Sequence, residues 1–406
     1  MIFIKRILLV EPAFPKANKS ANHKSFLPIG LLKLSSYYKD KRYNVELIRG
    51  NVLPVSYWES KSPYRIEITS LFTYWSKYVW DAVKFYRGYF PDPDKTQIRV
   101  GGIYASLHYD DEDFQRECEK YNVIPFKGVH EKAEKFFPDY ELVKSDENPI
   151  DYQIVHASRG CFRNCPFCGT WKIEPKFKGI KKIADKIKPG LKIGLRNLVF
   201  YDNNLFYNPH IKSILNELIE LKRQRKIGWC ESQSGFDGRL IQRDPELAVL
   251  LRKAGFKYPR IAWDWGYDGW RDIKKQIDIL KDAGFQYKYV YIFMIYNWRF
   301  DFEEMEKKRI KCYEWGVQIG DCRYRPLTQL HDHYKPRENQ SDGYEYHISS
   351  NWTDAQIKQF RKNVRKQNVC IKWGFSYYDS SSPLKLFNMD VLDLKKYFSK
   401  TIPPPP

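Results

Sequence analysis

The sequence predicts an α/β protein in which a doubly wound, Rossmann-like parallel sheet is followed by an incomplete (β/α) barrel of six units. Short apolar runs alternate with helical stretches along residues 1–130, and a second alternation with six strands starts near Asp151. The length of 406 residues exceeds one typical domain. We therefore predict domains at 1–148 and 149–330, with a helical extension and a proline tail at 331–406.

The first region contains four predicted strands. The run "RILLV" at 6–10 is typical of a strand buried on both faces. Pro28 followed by apolar residues at helical spacing predicts a helix over 28–41. Further strands are predicted at 43–50, 64–70 and 97–102, with a helix between the last two. In such sheets ligands bind outside the carboxyl ends of the strands.

The second region contains six predicted strands that alternate with helices. The strands are predicted at 152–158, 197–203, 227–235, 258–266, 287–297 and 317–326, and the helices near 210–224, 245–254, 270–284 and 302–315. Barrels of this kind carry their reactive groups on the loops after the strands. One more helix is predicted around 353–367, and the terminal "TIPPPP" cannot be helical or paired in a sheet.

Composition limits the class of protein. A hydrophobic content of 43% with 17% aromatic residues excludes a mostly disordered chain. No apolar run reaches the roughly 18 residues of a membrane helix, so no membrane partner is expected. The start "MIFIKRILLVEP" is interrupted by Lys5 and Arg6, which predicts a buried strand instead of a signal peptide and a cytoplasmic location.

The formal net charge of +20 comes largely from lysine-rich stretches, among them 172–192 and 358–372. Such runs are typical of solvated helix faces, although they also suit contacts with a phosphate backbone. Charge alone therefore leaves a nucleic-acid partner open.

The stretch "SRGCFRNCPFCGTW" at 158–171 holds Cys161, Cys165 and Cys168 in a Cys-x3-Cys-x2-Cys pattern. In a reducing compartment such a cluster indicates a metal or catalytic site. A structural zinc site needs a fourth ligand, and the candidates are His156, His210 and Cys230. None of them lies at a typical ligand-pair spacing from the three cysteines. A four-iron cluster held by three thiolates instead leaves one iron open to a ligand. The other cysteines are interpreted as small buried residues.

The cysteine spacing, Phe167 before the third cysteine, and the position after the first strand of the barrel resemble the radical SAM superfamily. The resemblance implies a 4Fe-4S cluster on the three cysteines with S-adenosylmethionine (SAM) at the open iron. It further implies reductive cleavage of SAM to methionine and a 5′-deoxyadenosyl radical, an electron donor such as flavodoxin or ferredoxin, and a small-molecule or peptide substrate. No residue is assigned a catalytic role.

The same resemblance implies a set of SAM-binding residues at the ends of the barrel strands: Phe167, Asp202, Asn203, Gln233 and Asp264. The stretch "YDNN" lacks the glycines of the family's Gly-Gly-Glu-like turn. Arg323 and Arg325 end the sixth predicted strand, where they are placed to meet a carboxylate. For each of these residues, a satisfied polar group at a strand end is the alternative interpretation.

The first region resembles the cobalamin-binding domain of one large radical SAM class through "LVEPAFP" at 9–15, "LPIGLLKLSSYY" at 27–38, "VGGIYAS" at 100–106 and "FKGVHEKAEKF" at 126–136. This implies cobalamin as a third cofactor and methyl transfer as the commonest chemistry. The residues implied are Ser70, Gly101, Gly102, Gly128 and Glu131. The chain has no Asp-x-His-x-x-Gly motif for a cobalt ligand, and His23 and His108 lack that context.

Two alternatives stay open. One is a radical SAM enzyme without cobalamin that carries out a rearrangement, a cyclisation or another radical reaction. The other is a zinc-containing nucleic-acid-binding protein, suggested by the charge of +20.

Overall fold

The structure is a computed structural model that describes residues 5–15, 27–55, 57, 62–144, 149–338 and 346–375. The predicted proline tail and His23 lie outside the described residues. The strands are β1 (Arg6–Glu11), β2 (Asn44–Arg49), β3 (Arg65–Ser70), β4 (Gln97–Gly102), β5 (Val123–Pro125), β6 (Tyr152–Val155), β7 (Ser158–Arg159), β8 (Lys178–Gly179), β9 (Asn197–Phe200), β10 (Cys230–Ser232), β11 (Arg260–Ala262), β12 (Tyr291–Tyr296) and β13 (Gln318–Arg323).

Helices separate most of these strands, as an α/β fold requires. They are α1 (Ile29–Asp40), α2 (Ser76–Tyr89), α3 (Ile103–Leu107), α4 (Glu112–Lys120), α5 (Thr170–Ile173), α6 (Ala184–Lys192), α7 (Ile211–Arg223), α8 (Gly238–Arg243), α9 (Glu246–Lys253), α10 (Trp270–Asp282), α11 (Phe302–Glu314) and α12 (Asp354–Trp373). Among the residues that the structure describes, none of the helices combines the length and apolarity that a membrane crossing requires.

The first sheet is parallel, with the strand order β2-β1-β3-β4-β5. Side chains alternate along β1, so Ile7 and Leu9 pack with α1, whereas Leu8 and Val10 pack with α2 on the opposite face. Burial on both faces explains why β1 is an uninterrupted apolar run after Arg6. The carboxyl ends of β3 and β4 therefore open at one edge of the sheet between the two helical layers.

The strands of the second region form two parallel three-stranded sheets, β10-β9-β6 and β11-β12-β13. Parallel bridges lie between the two sheets, from Cys230 to Phe256 and from Phe236 to Ile261. The α/β fold with parallel sheets is confirmed, and the incomplete barrel of six units stays a prediction. Several strands are also shorter than predicted: β10 begins at Cys230 and β12 at Tyr291, after the predicted starts at 227 and 287.

Helix α12 begins at a capping box between Thr353 and Gln356 and ends at Gly374 in the left-handed conformation. Its buried residues Phe360 and Val364 belong to the same hydrophobic core as the second set of strands. The helix predicted beyond residue 330 is therefore packed into this core.

A substitution at Gly102 tests whether the backbone at the end of β4 requires glycine. Its φ is +101°, and a Cβ atom there would lie 2.2 Å from the carbonyl oxygen of Ser70. We expect Gly102→Ala to lower the free energy of unfolding by about 3 kcal/mol or more, because strain and a backbone clash add. Gly88, on the exposed side of α2 with no atom within 4 Å of such a Cβ, is the matched control. Gly88→Ala should raise the urea midpoint slightly, and equal midpoints for the two variants would contradict the expectation.

Candidate functional site

The cysteine loop follows β7, which pairs antiparallel with β8. Gly160 opens the loop with φ +76°, and a Cβ atom there would lie 2.5 Å from the carbonyl oxygen of Lys176. Only glycine allows the chain to turn this close to the backbone of the 174–176 segment. The turn directs the next eight residues away from the strand.

Backbone groups surround the three thiols, each of which is half-buried. The amide of Arg163 donates to Sγ of Cys161 at 3.4 Å, and the amide of Thr170 donates to Sγ of Cys168 at 3.5 Å. N–H donors favour the thiolate form. Burial, and then the neighbouring Cys168, raises the pKa of Cys165, so three thiolates in this loop require a cation among them.

The donor set fits an iron–sulfur cluster. Within the described parts of the chain, no three His, Cys, Asp or Glu side chains are close enough together to hold a single metal ion. A four-iron cluster makes a different demand, because each thiolate binds its own iron atom. Three half-buried thiols on one loop, with amide donors beside two of them, meet that demand.

The polar residues after β9 organise this loop. Asp202 is fully buried, and its carboxylate accepts hydrogen bonds from the amide of Ala157 at 3.1 Å and the hydroxyl of Ser158 at 2.6 Å. Burial raises the pKa of Asp202 to about 7. The structure thus places Asp202, a predicted SAM-binding residue, against the backbone that leads into the cysteine loop.

The two asparagines after Asp202 lie nearer to the thiols. Oδ1 of Asn203 accepts from the hydroxyl of Thr170 at 3.3 Å, two residues from Cys168. Nδ2 of Asn204 lies 4.0 Å from Sγ of Cys161, and its buried Oδ1 has no hydrogen-bond partner among the described residues. Asn204 was not singled out from the sequence, although it belongs to the same "YDNN" stretch.

Ion pairs hold both ends of the cysteine loop. Arg159 makes two hydrogen bonds to Glu174, at 3.0 and 2.6 Å, and Glu174 also accepts from the amide of Gly160. Arg163 donates through Nε to Asp237 at 2.7 Å, and Asp237 caps the start of α8. None of these four charged residues was selected from the sequence, because each pair joins segments that only the folded chain brings together.

A cavity of about 440 Å³ borders the cysteine loop, and we call it the cluster-side cavity. Its walls come from the loop after β3, from α3, from the cysteine loop and α5, and from the ends of β12 and β13. Of the predicted SAM residues, Phe167 and Asn203 line it, and two cysteines do so as well: Cys168 of the cysteine loop and Cys322 of β13. Arg323 and Arg325 line the same cavity.

Gln233 and Asp264, the other two predicted SAM residues, are not among its lining residues. Nε2 of Gln233 donates to Glu231 at 2.9 Å. Burial raises the pKa of Asp264 to about 6, with Lys308 and Arg239 opposing the shift. Asp264 is among the charges that act on Cys165, so it lies on the same side of the fold as the cysteine loop.

A second cavity, of about 330 Å³, lies at the carboxyl ends of β3 and β4, and we call it the sheet-edge cavity. Ser70, Gly101, Gly102 and Gly128, four of the five residues predicted to bind cobalamin, line it. The hydroxyl of Ser70 is engaged within the fold, because it donates to the Gly101 carbonyl at 2.8 Å and accepts from the Ala105 amide at 3.1 Å.

Glu131, the fifth predicted cobalamin residue, does not reach the sheet-edge cavity. Its side chain is 79% exposed and pairs with Lys178. Glu134, one helical turn later, does line that cavity and forms an ion pair with Lys33 from α1. Glu134 was not selected from the sequence, and Glu131 stays a prediction.

The two cavities adjoin, because Ile103, Ile173, Glu174 and Asn203 belong to the walls of both. A third cavity, of about 480 Å³, shares Ile173 and Glu174 with them. A ligand as large as a corrinoid exceeds the sheet-edge cavity and fits only by extending into the adjoining space. The glycine-lined edge, and the two cavities that share wall residues with it, suit such a ligand.

Residues 155–308 match the family model described as the radical SAM superfamily. The predicted resemblance is thereby confirmed, and the chain carries a radical SAM domain whose match includes all three cysteines of the loop. No curated protein matches the sequence at a significant level.

Solved structures show the same fold. The chain is similar to the cobalamin-dependent S-adenosylmethionine radical enzyme OxsB in its apo form, with 14% identity and a TM-score of 0.53. The likeness to OxsB with aqua-cobalamin bound has 13% identity and a TM-score of 0.54. Each match covers 76% of this chain and 52% of OxsB, so the chain spans about half the length of that enzyme.

Proposed function

We propose that this protein reductively cleaves SAM at a 4Fe-4S cluster held by Cys161, Cys165 and Cys168, and that it is a cobalamin-dependent methyltransferase. The observation that carries the proposal is the shared wall between the two cavities. Asn203 and Glu174 line both the cavity beside the cysteine loop and the cavity at the sheet edge. A ligand at the sheet edge therefore lies next to whatever binds at the cysteine loop.

When bound, the cluster and SAM supply a 5′-deoxyadenosyl radical, and cobalamin supplies a transferable methyl group. The chain's own residues provide position and shelter. Asp202 and Asn203 tie the cysteine loop to the end of β9 through Ser158 and Thr170. The apolar side chains of Phe72 and of α3 line the cluster-side cavity, so a reactive radical formed there would face apolar groups on that side.

The finer architecture belongs to the same proposal. We propose that the two three-stranded sheets of the second region together make an incomplete barrel and that the first sheet is a doubly wound domain. Their strand orders and the parallel bridges at Cys230 and Phe236 support this arrangement. A cytoplasmic location, a small-molecule or peptide substrate, and an electron donor of the flavodoxin or ferredoxin type complete the proposal.

A radical SAM enzyme without cobalamin is the second candidate, with a rearrangement or cyclisation as its chemistry. One observation favours it: Gly102 and Ser70 are explained by the backbone geometry and hydrogen bonds of the sheet edge itself. These two residues therefore do not require a corrinoid to account for their identity.

Cobalamin binding separates the two candidates. We expect the full chain, incubated with hydroxocobalamin and passed through gel filtration, to retain the visible absorbance of the corrinoid. Gly101→Ala adds a methyl group that meets Phe126 at an ordinary 3.6 Å, so the fold should tolerate it. The added methyl group should weaken corrinoid retention by about tenfold, because the ligand loses close approach to the sheet edge. Gly88→Ala is the control, and no retention by the unaltered chain would favour the second candidate.

A further inference from the structure

The cluster-side cavity has a chemically uneven wall. Most of it is apolar or aromatic, from Phe72 and Leu107 to Phe167, Ile295 and Leu327. Its cationic side chains, Arg323 and Arg325, lie together at the end of β13. Glu174 also lines the cavity, but its carboxylate is engaged by Arg159 and by the amide of Gly160. The positive charge is thus concentrated on one side.

Arg323 is held in place with unused hydrogen-bonding capacity. Its side chain is 1% exposed, and its Nη2 donates to both oxygens of Asp332. Its Nε and Nη1 are buried and have no hydrogen-bond partner in the part of the chain that the structure describes. The rings of Tyr334 and Tyr346 lie 4.4 and 4.8 Å from the guanidinium, which fixes the orientation of the group. Arg323 therefore places a fixed, buried positive charge directly behind the cavity wall.

Arg325 adds a second guanidinium to the same acidic partner. Its Nε donates to Asp332 at 2.5 Å, and its Nη1 donates to the backbone carbonyl of Arg323 at 3.3 Å. The guanidinium also lies 4.4 Å from the ring of Tyr74 in the cavity wall. Within the described residues, Nη2 of Arg325 has no hydrogen-bond partner. Two guanidinium groups share one carboxylate, so Arg323, Arg325 and Asp332 together carry one net positive charge at the cavity.

We infer that the cluster-side cavity binds a substrate with an apolar or aromatic body and one anionic group, a carboxylate or a phosphate, that Arg325 holds and that the buried charge of Arg323 attracts. Guanidinium groups match both anions geometrically through paired N–H donors. The inference deepens the proposed function and rests on it, because it takes the cavity beside the cysteine loop as the substrate site. It assigns no role to the two arginines in binding SAM.

Three small ligands test whether the cavity prefers an anionic group, and which one. Binding of benzoate, phenyl phosphate and neutral benzamide to the full chain, reconstituted anaerobically with iron and sulfide, is measured by ligand-observed NMR. We expect one of the two anions to bind about tenfold more tightly than benzamide, which has the same ring without the charge. Tighter binding of benzoate assigns a carboxylate, and tighter binding of phenyl phosphate assigns a phosphate. Equal binding of all three probes would overturn the inference.

Variants locate the binding site. Arg325→Gln should weaken binding of the preferred anion about tenfold, and Arg325→Lys should retain part of it, since charge remains while the paired donors are lost. Arg116→Gln, an exposed change on α4, is the matched control. If Arg325→Gln leaves anion binding unchanged, or if SAM alone displaces the anion, the assignment to substrate is wrong. These binding measurements need no turnover, so failure to form 5′-deoxyadenosine would count against the proposed function alone.

Discussion

Replacing Cys165 with alanine is expected to abolish the formation of 5′-deoxyadenosine from SAM, and the same result is expected for Cys161 and Cys168. Each thiolate would hold one iron of the cluster, so the loss of any one leaves an iron without a protein ligand. Iron content after anaerobic reconstitution should fall from about four per chain, and the product, assayed by chromatography after reduction, should become undetectable.

Cys370→Ala is the matched control for this experiment. Cys370 is a half-buried thiol on α12, outside the cysteine loop and outside the walls of the cavities described above. Its replacement should leave both iron content and product formation at the level of the unaltered protein. A variant at Cys161, Cys165 or Cys168 that forms product at the unaltered rate while lacking iron would contradict the proposed mechanism.

Much of the fold was predictable because local patterns determine it. The strand predicted at 97–102 coincides with β4, and the helix predicted at 28–41 is one residue longer than α1 at each end. Burial on both faces makes such strands continuous apolar runs, which are easily recognised. In the second region the strand predicted at 258–266 is only the three residues of β11, and the amide of Trp263 makes one more bond to the Phe293 carbonyl of β12 at 2.9 Å before the chain turns into the loop that carries the exposed Trp265.

The cysteine loop was also predictable, since its spacing lies within eight consecutive residues. The contacts that hold the loop in place could not be predicted from the sequence. The pair of Arg163 with Asp237 spans 74 positions, and the approach of Asn204 to Cys161 spans 43. Such contacts depend on the fold and leave no local pattern. The resemblance to the cobalamin-binding domain selected Glu131, which pairs with Lys178. Glu134 of the same segment, which was not selected, lines the sheet-edge cavity.

Asp202 is expected to make the stability of the protein fall as pH rises. Its pKa is raised to about 7 by burial, above the value of about 3.9 expected in the unfolded chain. Between these values the folded state binds a proton that the unfolded state does not bind. Raising the pH therefore favours unfolding, and this group alone should lower the free energy of unfolding by about 2 kcal/mol from about pH 5.5 to about pH 8.

Asp202→Asn removes this titration and keeps the shape of the side chain. The amide oxygen can accept from the Ala157 amide, and the amide nitrogen can donate to the Ser158 hydroxyl, whose proton is free to rotate. Urea unfolding of both proteins across this pH range isolates the effect, because the other buried carboxylates, Asp264 among them, are common to both. We expect the variant to gain stability relative to the unaltered protein as pH rises. Parallel pH profiles would mean that the carboxylate of Asp202 stays charged at every pH tested, and that its hydrogen bonds to the start of the cysteine loop outweigh the effect of burial.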